Sequence, residues 1–343
     1  MSNLRERNFE RLRKSIAGEK CDAHACFKYY TYPFYHEVTK VPLHDYFHNP
    51  KLQLETQLAV LDQLEGVGNP MPDVGSVAEA SALGGIVKFD GAGFISVHET
   101  GIEDEEDVMQ IKPADPYGDN YMKVALETLE YFVANTPKEY KVNAPCLMGP
   151  FTVAAQLRGI SDFCMDTIAD PELVDALLDK VIDAEIKYLK EMEKILGNLS
   201  HVLVCDDLSA FLGEKDYRRL IIPTYDRIFA EFPDTQRWYH NDATTNHIAA
   251  DVAKGGIRAW QYGPCMTPAE AAEKTNGEVT LLGGLHPIQL ANYSVSETEE
   301  ACHKLIDEYK GNSRQVISAG GSINQVPVEN LLTLFRVADE RKI

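Results

Sequence analysis

From residue 120 onward the sequence alternates short apolar runs with longer amphipathic ones, and that alternation leaves few folds open. The apolar runs are Val142 to Met148, His201-Val202-Leu203-Val204-Cys205, Arg237-Trp238-Tyr239, Ile257 to Tyr262, Val279 to Leu282 and Arg314 to Ser318. Runs this short and this apolar read as strands covered on both faces, the kind found in parallel sheets. The segments between them carry apolar residues at helical spacing. The longest follows Asp170-Pro171, with Leu173, Leu177, Val181, Leu189, Met192 and Leu196 on one stripe. Its aspartate suits a helix cap and its proline the first turn. Further helices are expected over 120–135, 215–231, 245–254, 267–274 and 296–309, and from Pro327.

Earlier in the chain the pattern is looser. Helices are expected over 3–17 and 50–63, and Ala25 to Thr31 is a candidate first strand. The aromatic run Tyr29 to Tyr35 follows it as a loop. From Pro72 to Thr100 the rhythm breaks. Gly75, Gly84, Gly85, Gly91 and Gly93 punctuate short β-type segments, a β-rich excursion near residues 70–100. The run Glu103 to Asp107 reads as a solvated helix start. Counting the first strand and one more near the excursion gives about eight strands in the repeat. The fold class expected is therefore α/β, a (β/α)8 TIM barrel with one excursion. Its 343 residues would form a single domain, 1–343. No Gly-x-Gly-x-x-Gly follows the first strand, which weighs against an open dinucleotide-binding sheet.

Composition narrows the partners. A formal net charge of −20 repels phosphate backbones and anionic lipid, so neither nucleic acid nor membrane is expected as a partner. Seven scattered cysteines argue for a reducing cytoplasm rather than a disulfide framework. Met1 to Lys20 reads as charged helix, not a signal peptide.

Active sites of (β/α)8 barrels lie at the C-terminal strand ends, so those ends are where chemistry is sought. One of them is Arg237-Trp238-Tyr239-His240-Asn241-Asp242. Side chains two apart on a strand point the same way, so His240 and Asp242 should converge. A nitrogen and a carboxylate that converge can hold a divalent metal or act as an acid/base pair, or can simply end a strand with a hydrogen bond. Cys265 follows the next strand, where a third ligand could reach, although most free cysteines are small buried hydrophobes. Asp206 and Asp207 follow four apolar residues. At least one should face inward as an acid/base, unless it caps the next helix. Tyr262, with Tyr30 and Tyr32 of the aromatic run, would shape a substrate pocket. His286 stands before Pro287, where it could contact substrate or cap a helix.

Gly149-Pro150-Phe151-Thr152 resembles the Gly-Pro-x-Thr segment of the uroporphyrinogen decarboxylase superfamily. Glu79-Ala80-x-Ala82-Leu83-Gly84, Leu282-Gly283-Gly284-Leu285-His286-Pro287 and Val326 to Leu331 fit it as well, in order. The resemblance implies a (β/α)8 barrel, a substrate contact at Thr152, and one of two chemistries. The decarboxylase branch holds a polycarboxylate porphyrinogen with arginines on the first strand and loop, and has a Gly-His element after the last strand. Here Cys21 to Tyr35 has Lys28 and no arginine, and Ser318 to Gly321 has no histidine. The corrinoid-dependent methyltransferase branch has a zinc site built from His-x-Cys plus a later Cys. Here these places are His240-x-Asp242 and Ala319 or Gly320. Losing both thiolates disfavours methyl transfer to a thiol and suits an oxygen leaving group. The resemblance thus implies methyl transfer, as in O-demethylation, from a small methylated compound to the cobalt of a corrinoid supplied by a partner protein. A divalent metal, zinc by family likeness, would assist. The alternatives are a tetrapyrrole decarboxylase and a barrel that binds corrinoid or tetrapyrrole without turnover.

Overall fold

The computed structural model describes residues 3–28, 30–90, 92–98 and 101–343. Met1, Tyr29, Gly91 and Thr100, all used in the sequence reading, lie outside the described residues. The described chain divides into two compact units: 1–41, 55–69 and 238–343 in the first, 42–54 and 70–237 in the second.

In the second unit the excursion is a β-hairpin. β1 (Ile86–Phe89) and β2 (Ile95–His98) pair antiparallel, Phe89 opposite Ile95 and Ile86 opposite His98. Asp90 makes the turn, its Oδ1 accepting from the backbone of Ala92 and Phe94. β3 (Leu147–Met148) and β4 (His201–Cys205) pair in parallel. The crossover between them includes helix Pro171–Leu196, capped as expected by the Asp170 side chain on the Leu173 amide. Leu173, Leu177, Val181, Leu189 and Met192 on its stripe are buried, where each contributes roughly 1.5–3 kcal/mol of apolar burial.

β5 (Gln236–Asn241) begins in the second unit and ends in the first. The first unit continues through β6 (Ile257–Tyr262), β7 (Thr280–Leu285) and β8 (Gln315–Ala319). Within the first unit β6, β7 and β8 stand in chain order, the arrangement that successive right-handed βα crossovers generate. β7 and β8 pair in parallel from Leu281–Gln315 to Leu285–Ala319, and every residue of β8 is buried. Helix Leu4–Ala17 is tied to helix Val328–Glu340 through the buried Arg11, whose guanidinium bonds both Asp22 and Asp339. No helix among the described residues is long and apolar enough to cross a membrane.

Several expectations need correction. The strand expected over Ala25 to Thr31 is a single parallel bridge, Cys26 to Ile317. It is cut short because Tyr32-Pro33 opens helix Tyr32–Thr39, so most of the aromatic run is helix rather than loop. The strand expected from Val142 shrinks to Leu147–Met148. Pro145 has no N–H for a ladder, and the Asn143 amide donates to the Pro70 carbonyl instead. The extra strand near the excursion is absent among the described residues: β1 and β2 pair only with each other, and Pro70 and Pro72 deprive the preceding segment of donors. The helix expected over 245–254 also starts later, at Ala249.

Candidate functional site

In the first unit the site is built around the end of β5. A ligand atom of His240 and one of Asp242 lie within 4.8 Å of each other, as period-two alternation requires. Both side chains are half-buried. His240 Nδ1 lies 2.9 Å from Gln261 Oε1 on β6. The Gln261 amide nitrogen faces the Ala319 carbonyl at 3.0 Å and Ser318 Oγ at 3.4 Å. A carbonyl can only accept, so that nitrogen donates and Oε1 is left to accept from His240. The imidazole therefore carries its hydrogen on Nδ1 and its lone pair on Nε2, the tautomer that a metal-binding or proton-accepting histidine needs.

Asp242 is seated among glycines. A Cβ on Gly321, where φ is +135°, would come within 2.6 Å of Asp242 Oδ2, and one on Gly263 within 2.1 Å of the Asp242 carbonyl oxygen. Only glycine leaves room for that carboxylate against the turn after β8.

Cys265 does not join the pair. It lies outside the group of ligand atoms within 4.8 Å that contains His240 and Asp242, its Sγ facing Thr245 Oγ1 at 3.6 Å. Tyr262 is 1% exposed, and its ring lies over Gly283, where a Cβ would come within 2.5 Å of it. Burial pushes its phenol well above the usual range. Tyr30 is buried against Phe34, and its hydroxyl donates to the Val67 carbonyl, which accounts for it as packing. Tyr32 is half-buried at the first position of its helix. His286 caps helix Pro287–Asn292, accepting from the Ile288 amide at 3.3 Å.

In the second unit Thr152 and Asp206 come together. Gly149 precedes helix Pro150–Arg158, and a Cβ there would meet the Asp206 side chain at 2.2 Å. Asp206 is fully buried and accepts from the Thr152 amide (2.9 Å), Thr152 Oγ1 (2.7 Å) and the Tyr225 hydroxyl (2.8 Å). Burial pushes its carboxyl up to about 6, against the pull of those donors. Asp207, half-buried, opens the 3-10 turn Asp207–Phe211. Asp206 is thus a scaffold for the Gly-Pro-x-Thr segment.

Three polar residues escaped the sequence reading. Gln261 orients His240, and its signal was a lone amide in the strand Ala259-Trp260-Gln261-Tyr262. Glu79, within a quoted motif, is buried and accepts from the Met148 amide at 3.0 Å. Glu185 falls on the buried stripe of its helix, four residues from Val181 and from Leu189. Its carboxyl is wholly buried and finds no hydrogen-bond partner among the described residues, and burial beside Glu79 and Asp206 pushes it far above the carboxylate range.

A methylated-thiol–coenzyme M methyltransferase of Methanosarcina mazei is 24% identical over 204 residues, 58% of this chain and 53% of that protein. A uroporphyrinogen decarboxylase of Campylobacter concisus is 28% identical over 166 residues, 47% of each. The chain thus spans about half the length of these curated relatives. A solved structure described as a methyltransferase from Methanosarcina mazei superposes over 99% of both chains with a TM-score of 0.82 at 18% identity. That likeness carries the fold, the α/β barrel class expected from the βα repeat. The profile of the family "Uroporphyrinogen decarboxylase (URO-D)" matches residues 8–341, and the chain belongs to that family.

Proposed function

We propose that the chain is a methyltransferase that moves a methyl group from a small methylated compound, a methyl ether in the first instance, to the cobalt of a corrinoid carried by a separate protein. The reading takes residues 1–343 as one domain. The observation that carries it is the His240–Gln261 bond, which sets the imidazole tautomer beside Asp242. The names of the Methanosarcina mazei relatives favour methyl transfer. The absence of arginine from Cys21 to Tyr35, and of histidine from Ser318 to Gly321, weighs against porphyrinogen decarboxylation.

The residues of the first unit that would hold a divalent ion are His240 and Asp242, both half-buried and each offering one ligand atom. A nitrogen and a carboxylate, without thiolate, belong to a donor set that zinc or a harder ion accepts. Such an ion would supply Lewis-acid stabilisation of a departing oxyanion. Gln261 keeps the His240 lone pair on Nε2, and Gly321 lets the Asp242 carboxylate stand beside it. Of the two neighbouring aspartates, Asp207 is the one we assign to substrate chemistry, because Asp206 is engaged by Thr152 and Tyr225.

The test is formation of methyl-Co(III), followed by its absorbance, from a Co(I) corrinoid protein and a panel of methoxylated donors. The wild-type protein should methylate cobalt, and Asp242→Ala should slow the step by about a hundredfold, the scale of losing one electrostatic stabiliser. An Asp242→Ala variant working at the wild-type rate would reduce the pair to a strand-ending hydrogen bond. Coproporphyrinogen formed from uroporphyrinogen would move the chain to the other branch.

A further inference from the structure

Helix Leu43–His48 carries two histidines one turn apart, His44 and His48, both exposed. Side chains at i and i+4 lie one above the other on a helix face. The two rings stack with centroids 4.5 Å apart and planes 28° from parallel. His48 Nδ1 is 2.8 Å from the His44 carbonyl oxygen. Since that oxygen can only accept, Nδ1 carries the hydrogen and Nε2 the lone pair. A metal-binding imidazole is commonly held this way, one nitrogen anchored to a carbonyl and the other turned outward. The His48 Nε2 faces the Tyr121 hydroxyl at 3.5 Å. The ring of Phe89 on β1 lies beside both, its centroid 5.5 Å from His44 and 5.7 Å from His48.

We propose that His44 and His48 form a further divalent-metal site, a bidentate imidazole clamp for a late transition ion such as Ni2+, Cu2+ or Zn2+. Imidazole pairs favour these ions, whereas Ca2+ and Mg2+ require oxygen cages. Asp45, whose carboxylate is 3.6 Å from His44 Nδ1, adds a negative charge beside the clamp. The His44 side chain is 70% exposed, so the modest ring rotation that chelation needs meets little resistance. The assignment is independent of the methyl-transfer reading and uses none of its residues.

The test is Ni2+ added to the whole chain after chelator treatment, read by calorimetry and by carbethoxylation of individual histidines in mass spectrometry. Ni2+ should protect His44 and His48 together. His303, with no second imidazole one turn away on helix Val295–Tyr309, should keep its reactivity. His48→Gln and His44→Gln should each weaken Ni2+ binding at this site about tenfold or more, or about 1.4 kcal/mol. Both replacements lie on an exposed face, and their melting temperatures should match the wild type. Undiminished carbethoxylation of His44 and His48 at saturating Ni2+ would overturn the assignment, as would wild-type affinity in both variants.

Discussion

Replacing Gln261 with leucine should separate metal affinity from stability. Gln261 is wholly buried and bonds three groups: His240 Nδ1, the Ala319 carbonyl and Ser318 Oγ. Leucine fills nearly the same volume and bonds none of them. A buried group left unpaired costs about 1–3 kcal/mol. Two facts pull the total toward the low end. His240 is half-buried, so water reaches it, and the Ala319 carbonyl keeps the Ser318 hydroxyl at 3.0 Å. The expected loss of stability is about 1–2 kcal/mol, a fall of a few degrees in Tm. The effect on the proposed ion should be at least as large. An outer-shell partner of a metal-binding histidine is worth about 10–100-fold in affinity, or roughly 1.4–2.7 kcal/mol. Gln261→Glu should do the opposite. It keeps an acceptor for His240, so zinc affinity stays within a few-fold, but it sets a second oxygen against the Ala319 carbonyl and loses more stability. Zinc affinity measured by chelator competition, alongside thermal melts, distinguishes the two profiles. A leucine variant that binds zinc as tightly as the wild type would show that Gln261 does not fix the imidazole, and the tautomer argument would go with it.

Two further outcomes follow from the buried acids and the glycines. Burial pushes the Glu79 carboxyl up to about 7, partly offset by the Met148 amide, so the native state holds a proton that the unfolded chain releases near pH 4.5. The associated stability is present at low pH and lost as pH rises from about 4.5 through about 7, some 3 kcal/mol in all. Glu79→Gln keeps the acceptor for Met148 and should flatten that slope in urea midpoints between pH 5 and 8; parallel curves for variant and wild type would refute the assignment. Gly321→Ala places a methyl within 2.6 Å of Asp242 Oδ2 at φ +135°. It should cost about 1–3 kcal/mol in backbone strain and abolish cobalt methylation in a protein that still folds, as judged by circular dichroism and turnover together.

The βα rhythm was legible because doubly buried strands and amphipathic helices differ in both period and length. β6 and β8 fall within a residue of their expected positions, and β7 starts within one of its own and runs on to Leu285. The first strand was over-read because the apolar character of Ala25 to Tyr30 persists into residues that pack as helix and loop, and Pro33 marks the change. The His240–Asp242 pair was legible from alternation alone. The choice between Asp206 and Asp207 was not: adjacent strand-end residues look equivalent until Thr152 and Tyr225, 54 and 19 residues away, claim one of them. Cys265 follows the next strand, where a third ligand could reach. Its thiol is instead directed by Thr245, 20 residues earlier in the chain, which no spacing rule encodes.

The packing around Asp242 also restricts the order in which its chemistry could change over generations. A side chain at position 320 would strike the Tyr262 carbonyl oxygen at 2.2 Å, and one at 263 would strike the Asp242 carbonyl oxygen at 2.1 Å. Both obstacles are main chain, so no rotamer relieves them. A lineage acquiring a thiolate at position 320 would need the main chain at 262–263 to move first. Asp242 already carries a side chain, so exchanging it meets no such main-chain obstacle. Asp242→Cys is therefore a single step open to a drift toward softer ligands, whereas a substitution at position 320 must wait for the main chain of Tyr262 to shift.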